Sequence, residues 1–275
     1  MSINKNALFH IFLISLLIVI AGISSGCITD DKTAVKDVES QDTVFQVSSI
    51  NLLLAGGYDG FVKIGELKKH GDTGLGTVDT LDGELVIVDG EFYTVKSDGI
   101  PYLLTDDELI PFADVTFFEE DFSIEMKDIE NISGFEEILT ENLPSEDIFY
   151  AVKFEGTFPY IKTRSVPKQE KPYQKLIDVV ADQSVFEYNN INGTVVGFWS
   201  PEFAEGMNVP GLHIHFISED RTKGGHILDL KFDDEEVFLD KSTEYSIILS
   251  EKSLGQTTDT KKQSDKNSEL SLIEK

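Results

Sequence analysis

Three of the five histidines in this 275-residue chain fall between positions 213 and 226, in the stretch GLHIHFISEDRTKGGH (residues 211–226). Imidazole is the commonest side-chain metal ligand, so the spacing decides what these residues can do. In a strand, residues two apart share a face, so His213 and His215 project together while Ile214 points away. The chain then returns through Glu219-Asp220-Arg221-Thr222-Lys223-Gly224-Gly225. If this hairpin closes symmetrically about Asp220 and Arg221, His226 lies directly opposite His215. Cross-strand neighbours hold their Cβ atoms roughly 4.5–5.5 Å apart, and diagonal ones about 7–8 Å. Three imidazoles then converge as a tetrahedral divalent metal requires, with nitrogen ligands at about 2.0–2.1 Å and a fourth position open for water or substrate. His70, beside Gly71, reads instead as the end of a helix.

The elements that must position this group are mostly hairpins. Ser49 to Ala55 reads as a short apolar helix broken by Gly56-Gly57, and Ile64 to His70 as a second helix stopped by Gly71. Glu84 to Val88 and Glu91 to Val95 flank Asp89-Gly90, the strongest short-range hairpin signal. Asp114 to Phe118 is another strand, and Ser133 with Glu136 predicts a capping box opening a helix to about Asn142. After Pro144, hairpins are predicted at 148–166 (turning at Glu155-Gly156-Thr157), at 185–199 (turning at Asn192-Gly193) and at 211–232, with a helix over Tyr173 to Ala181. The fold class is α+β, with mixed, mainly antiparallel sheets, few helices and two closely packed subdomains, residues 44–143 and 144–252. Residues 253–275 read as a polar, flexible tail.

The amino terminus serves a different purpose. Ala7 to Ile23 is a nearly unbroken apolar run, followed by Ser24-Ser25-Gly26 and the chain's only cysteine, Cys27. That order reads as an export signal over residues 1–26 with a lipobox-like end, then a polar tether over 27–43. The protein is thus expected outside the cytoplasm, its membrane contact made through lipidated Cys27; an uncleaved anchor and simple secretion are the other readings of the same residues. A single cysteine excludes an internal disulfide. Residues 1–26 carry only Lys5 as a formal charge, so their removal takes the net charge from −27 to −28. Such a surface repels phosphate backbones and excludes a nucleic-acid partner. An anionic substrate needs a local cation to receive it. Asn131 and Asn192 head Asn-x-Ser/Thr sequons that an exported chain offers for glycosylation.

Beyond chemistry and spacing, Gly211-Leu-His-Ile-His-Phe216, Glu219-Asp-Arg221 and Gly224-Gly-His-Ile-Leu-Asp229 resemble the signature of the α-acetolactate decarboxylase family. His70-Gly-Asp-Thr-Gly-Leu-Gly-Thr77, Leu81-Asp-Gly-Glu84, Asp89-Gly-Glu-Phe-Tyr93 and Val115-Thr-Phe-Phe118 are similar in order and spacing to its amino-terminal half. Gly156-Thr-Phe158, Lys162-Thr-Arg164 and Val209-Pro-Gly211 extend the resemblance, which spans roughly Val44 to Leu230. Asp114 departs from it, standing where the family tends to be apolar.

The resemblance implies a zinc-dependent decarboxylase without an organic cofactor, converting 2-acetolactate, a small anionic 2-hydroxy-3-keto acid, into acetoin and carbon dioxide. It implies His213, His215 and His226 as zinc ligands, Glu84 as the active-site carboxylate, Arg164 as the cation facing the substrate and Thr77 as a polar contact near the metal. Glu274 is the nearest match to a carboxylate that the family draws from near its carboxyl terminus, and a homodimer is compatible with the resemblance. The chemistry is coherent: losing carbon dioxide from a β-keto acid leaves charge on the former ketone oxygen, which a Lewis acid stabilises. Without the resemblance, Glu84 and Arg164 read as ordinary solvated charges. Two other readings of the histidines remain, a cupin-like metal enzyme and a lipid-anchored solute-binding protein. The first shares His213-x-His215-x3-Glu219 with half of a cupin motif but needs its last histidine from a more distant strand.

Overall fold

The computed structural model describes residues 42–251 together with Leu270 and Ile273. The export signal, Cys27, nearly all of the tether and Glu274 lie outside the described residues. In chain order the elements are β1 (Thr43–Val47), α1 (Ile50–Leu54), β2 (Val62–Lys63), α2 (Ile64–Leu67), β3 (Thr73–Thr77), β4 (Glu84–Val88), β5 (Glu91–Val95), β6 (Pro101–Leu103), β7 (Leu109–Ile110), β8 (Phe112–Thr116) and β9 (Phe122–Ile129). There follow α3 (Ile132–Asn142), β10 (Phe149–Ser165), α4 (Leu176–Val180), β11 (Ser184–Ser200), β12 (Gly211–Ser218), β13 (Gly224–Ser242) and β14 (Glu244–Ile248).

Two sheets dominate, as an α+β fold built from hairpins requires. A seven-stranded sheet has the order β14-β1-β8-β3-β4-β5-β6, antiparallel except where β14 runs parallel to β1. A five-stranded antiparallel sheet has the order β10-β11-β12-β13-β9, and β10 also pairs with β13, so four of its strands close into a ring. The two halves of the chain exchange strands: β9 completes the second sheet and β14 the first. Inside the second sheet, Phe154, Phe158, Phe216 and Phe232 pack at ring-centroid distances of 5.5–6.4 Å, an aromatic core in which each truncation to Ala costs about 3–5 kcal/mol. Val86, Val88 and Val95 of the first sheet meet Val196 and Ile217 of the second.

The Asp89-Gly90 turn forms as expected. Val88 pairs with Glu91 across it, and both turn residues take positive φ (52° and 77°), as a type I′ turn demands. Other expectations are corrected. Residues 148–166 and 185–199 are not hairpins; each lies in one continuous strand, β10 or β11, and the two strands pair with each other from Tyr150↔Trp199 to Ser165↔Ser184. Gly156 and Gly193 face each other in mid-ladder rather than turning the chain. Any Cβ there would meet Glu235 or the Phe216 ring at 2.7 and 2.4 Å, so these glycines serve close packing. The helix after residue 130 begins at Ile132 and is capped by Asn131, whose Oδ1 accepts from Gly134 N at 2.9 Å. Ser133 lies inside it, and Glu136 Oε1 accepts from Leu212 N at 3.1 Å, tying α3 to β12. The tail is not wholly polar and free: Leu270 and Ile273 are buried beside Ile50, Leu53, Leu176 and Val180.

Asp114 sits on β8 opposite Gln46 and Leu75, fully buried, and desolvation pushes its carboxyl up to about 8 despite a hydrogen bond from Asn208. The folded state therefore keeps a proton that the unfolded chain releases near pH 4, and stability falls as pH rises from about 4 toward 8. Asp114→Asn copies the neutral carboxyl without that dependence. Its melting midpoint should exceed that of the parent by a margin that grows from pH 4.5 to pH 8. A margin independent of pH would show that Asp114 is ionised in the fold.

Candidate metal centre and active site

Strand alternation sets up the site. On β12, Leu212, Ile214 and Phe216 turn into the aromatic core of the second sheet, so His213 and His215 point the other way, on the face from which Ile217 meets Val86 and Val88 of the first sheet. The hairpin register is the one expected: His215 pairs with His226, and Ile217 with Gly224. On its other side His226 pairs with Arg164 of β10, so one strand position joins the imidazole cluster to the cation. Gly225 makes this possible. Its φ is +130°, and a Cβ there would stand 2.4 Å from the Arg164 carbonyl oxygen, beside the register shift between Lys162 and Thr163.

The three imidazoles form a triangle with ring centroids 5.1–5.3 Å apart, and their candidate ligand atoms all lie within 4.8 Å of one another. All three are buried. His215 Nδ1 lies 2.7 Å from the Leu85 carbonyl, which can only accept, so Nδ1 carries the proton and Nε2 offers its lone pair. That Nε2 is buried and makes no hydrogen bond among the described residues, an orphaned acceptor of the kind a metal satisfies. Burial, with the nearby Arg164 cation as the second cause, pushes His213 down to about 3. Burial likewise holds His215 and His226 well below the ordinary histidine range. Neutral imidazoles are the ligating form. The donor set therefore fits a borderline divalent ion such as zinc.

Glu84 begins β4 and reaches the same place from the first sheet. Its Oε2 is 3.9 Å from His215 Nε2 and its Oε1 is 4.0 Å from Arg164 Nε. Thr77 pairs with Glu84 across β3 and β4 and donates through Oγ1 to the Gly83 carbonyl at 2.7 Å. Arg164 is 4% exposed, a burial that excludes the solvated-charge reading, and its NH1 donates to Gln183 Oε1 at 3.4 Å. Thr77, Glu84, Arg164, His213 and His215 form the polar end of one cavity. The rest of its lining is mostly apolar, with Ile50 and Leu53 of α1, Leu176 and Val180 of α4, and Phe112 and Val166.

Every site residue singled out from the sequence within the described region thus converges here. His70 does not: its ring stacks on Phe45 with centroids 3.7 Å apart. The Leu85 carbonyl, Gln183 and the apolar wall escaped the sequence. A backbone acceptor and a neutral amide carry no compositional signal, and their places depend on how the two sheets pack. Of the two sequons, Asn131 caps α3, while Asn192 lies within β11, where its Oδ1 accepts from Thr157 Oγ1 at 2.9 Å.

Comparison with known proteins bears on this arrangement. The model of the alpha-acetolactate decarboxylase family matches residues 44–259. The chain is 50% identical over 201 residues to the alpha-acetolactate decarboxylase of Methanosarcina mazei, covering 73% of this chain and 70% of that one. It is 46% identical over 193 residues to the enzyme of that name from Bacillus licheniformis, covering 70% and 76%. The crystal structure of alpha-acetolactate decarboxylase from Bacillus subtilis strain 168 superposes with a TM-score of 0.80 at 35% identity, covering 84% of this chain and 99% of that one.

Proposed function

The chain belongs to the alpha-acetolactate decarboxylase family, and on that premise we propose that it converts 2-acetolactate into acetoin and carbon dioxide in the cavity between β4 and β12. The observation that carries the reading is the convergence of three buried histidines with a buried Arg–carboxylate pair beside one partly apolar cavity. His213, His215 and His226 would hold a divalent metal, zinc by the donor set, whose chemistry there is Lewis-acid polarisation of the substrate's oxygens.

The protein's own groups divide the remaining work. Arg164 presents a permanently charged, planar fork that matches the two oxygens of the substrate carboxylate. Its burial strengthens that attraction, because few waters compete for it. The apolar wall of α1 and α4 receives the substrate's methyl groups and keeps water from the reacting carbons. Departure of carbon dioxide breaks the bond between the carboxyl and the hydroxyl-bearing carbon, and that bond's electron pair spreads onto the neighbouring ketone oxygen. A proton must then reach the carbon that lost its carboxyl. A guanidinium is a poor proton donor, so the proton comes from water, directly or passed on by Glu84, whose carboxylate stands 4.0 Å from Arg164 Nε and 3.9 Å from His215 Nε2.

The experiment is direct. Purified protein with synthetic 2-acetolactate should release acetoin and carbon dioxide in equal amounts, and chelation should stop it. Binding without turnover would favour the solute-binding reading, and turnover of an unrelated substrate alone would favour another metal enzyme. We further propose export with anchoring through Cys27, supported by the apolar run ending in Ser24-Ser25-Gly26-Cys27. Cys27→Ala should release activity from the membrane fraction; retention of all activity there would favour an uncleaved anchor.

A further inference from the structure

Gln183 stands where α4 hands over to β11, two residues before Val185, the cross-strand partner of Arg164. Its backbone is fixed by Gln183 N donating to the Val180 carbonyl at 3.1 Å, and Val180 itself lines the cavity. From there its Oε1 accepts from Arg164 NH1 at 3.4 Å, while the Nε edge of the same guanidinium faces Glu84 at 4.0 Å. A neutral amide oxygen orients a guanidinium without placing another negative charge beside it. A carboxylate at 183 would fill nearly the same space and make the same contact. It would also weaken the pull of the guanidinium on any incoming carboxylate.

We propose that Gln183 is a positioning residue for Arg164: it fixes the guanidinium on the cavity while preserving its positive field for the carboxylate of the substrate. The assignment rests on the decarboxylase reading for the substrate's identity, but the Gln183–Arg164 relation can be read without turnover.

Two variants of similar size separate charge from packing. Gln183→Glu keeps the acceptor and adds a charge; Gln183→Met keeps the length and loses the acceptor. Each is studied as the metal-loaded protein. Steady-state kinetics on 2-acetolactate gives KM and kcat, and calorimetry gives the dissociation constant of 2-hydroxy-2-methylpropanoate, which keeps the carboxylate and hydroxyl but lacks the ketone. Gln183→Glu should raise both KM and the dissociation constant by about tenfold or more, a loss of about 1.4 kcal/mol. Gln183→Met should raise them by about threefold, and metal content should stay at the parental level in both. A purely packing role predicts the opposite order, with the near-isosteric Glu close to native and Met worse. That order, or parental values in both variants, overturns the proposal. If Gln183→Glu fails to fold, parental binding by Gln183→Met alone overturns it. Failure of the parent to produce acetoin would instead sink the decarboxylase reading, and the calorimetric comparison would still decide the role of Gln183.

Discussion

His215→Ala should yield a folded protein with almost no bound metal and no measurable turnover. His215 is the imidazole whose tautomer the structure fixes, through Nδ1 on the Leu85 carbonyl, and its Nε2 is the buried acceptor left for an ion. Outer partners of metal ligands are commonly worth 10–100-fold in affinity or activity, so loss of a ligand should exceed about a hundredfold. The fold should survive. The substitution removes one buried hydrogen bond to the Leu85 carbonyl and opens a small void, together a few kcal/mol against a typical domain stability of about 5–15 kcal/mol. Elemental analysis and circular dichroism on the same sample check both halves. A variant that keeps one metal per chain and native turnover would show that the triangle of imidazoles is not the metal centre.

The second large effect is expected at Arg164. Arg164→Gln removes the charge while keeping some hydrogen bonding; Arg164→Lys keeps the charge and loses the fork. Catalytic efficiency should fall in both, more in Gln than in Lys, by on the order of 2–5 kcal/mol where a buried charge partner is lost. Metal content should be unchanged in both, because the ligands stand on β12 and β13 and not on β10. Burial is the larger cause that keeps His213 neutral and the Arg164 cation the smaller, so the ligating form persists when the charge is removed. Near-native efficiency in the Gln variant would return Arg164 to a structural role.

The centre of this site was legible in the sequence because it is local. His213 and His215 share a face by strand alternation, and a short hairpin fixes the register of His226. The Asp89-Gly90 turn was legible for the same reason, since two residues that tolerate positive φ specify it alone. Glu84 and Arg164 came only through resemblance to a family, because their meeting at 4.0 Å is a product of one sheet packing on another. Gly156 and Gly193 misled for a physical reason: glycine serves turns and close packing alike, and only the contacts with Glu235 and Phe216 reveal which. In the same way, the polar composition after residue 253 concealed two apolar anchors, Leu270 and Ile273, that meet the residues walling the cavity.

The central claim is that turnover of 2-acetolactate depends on an ion held by His213, His215 and His226. The most direct test is to strip the protein of metal with a chelator, remove the chelator, and titrate zinc back while following acetoin formation. Activity should be absent at zero metal, rise linearly, and break at one equivalent per chain, with the break lost in the His215→Ala variant. Full activity in verified metal-free protein, or an identical titration in that variant, would contradict it.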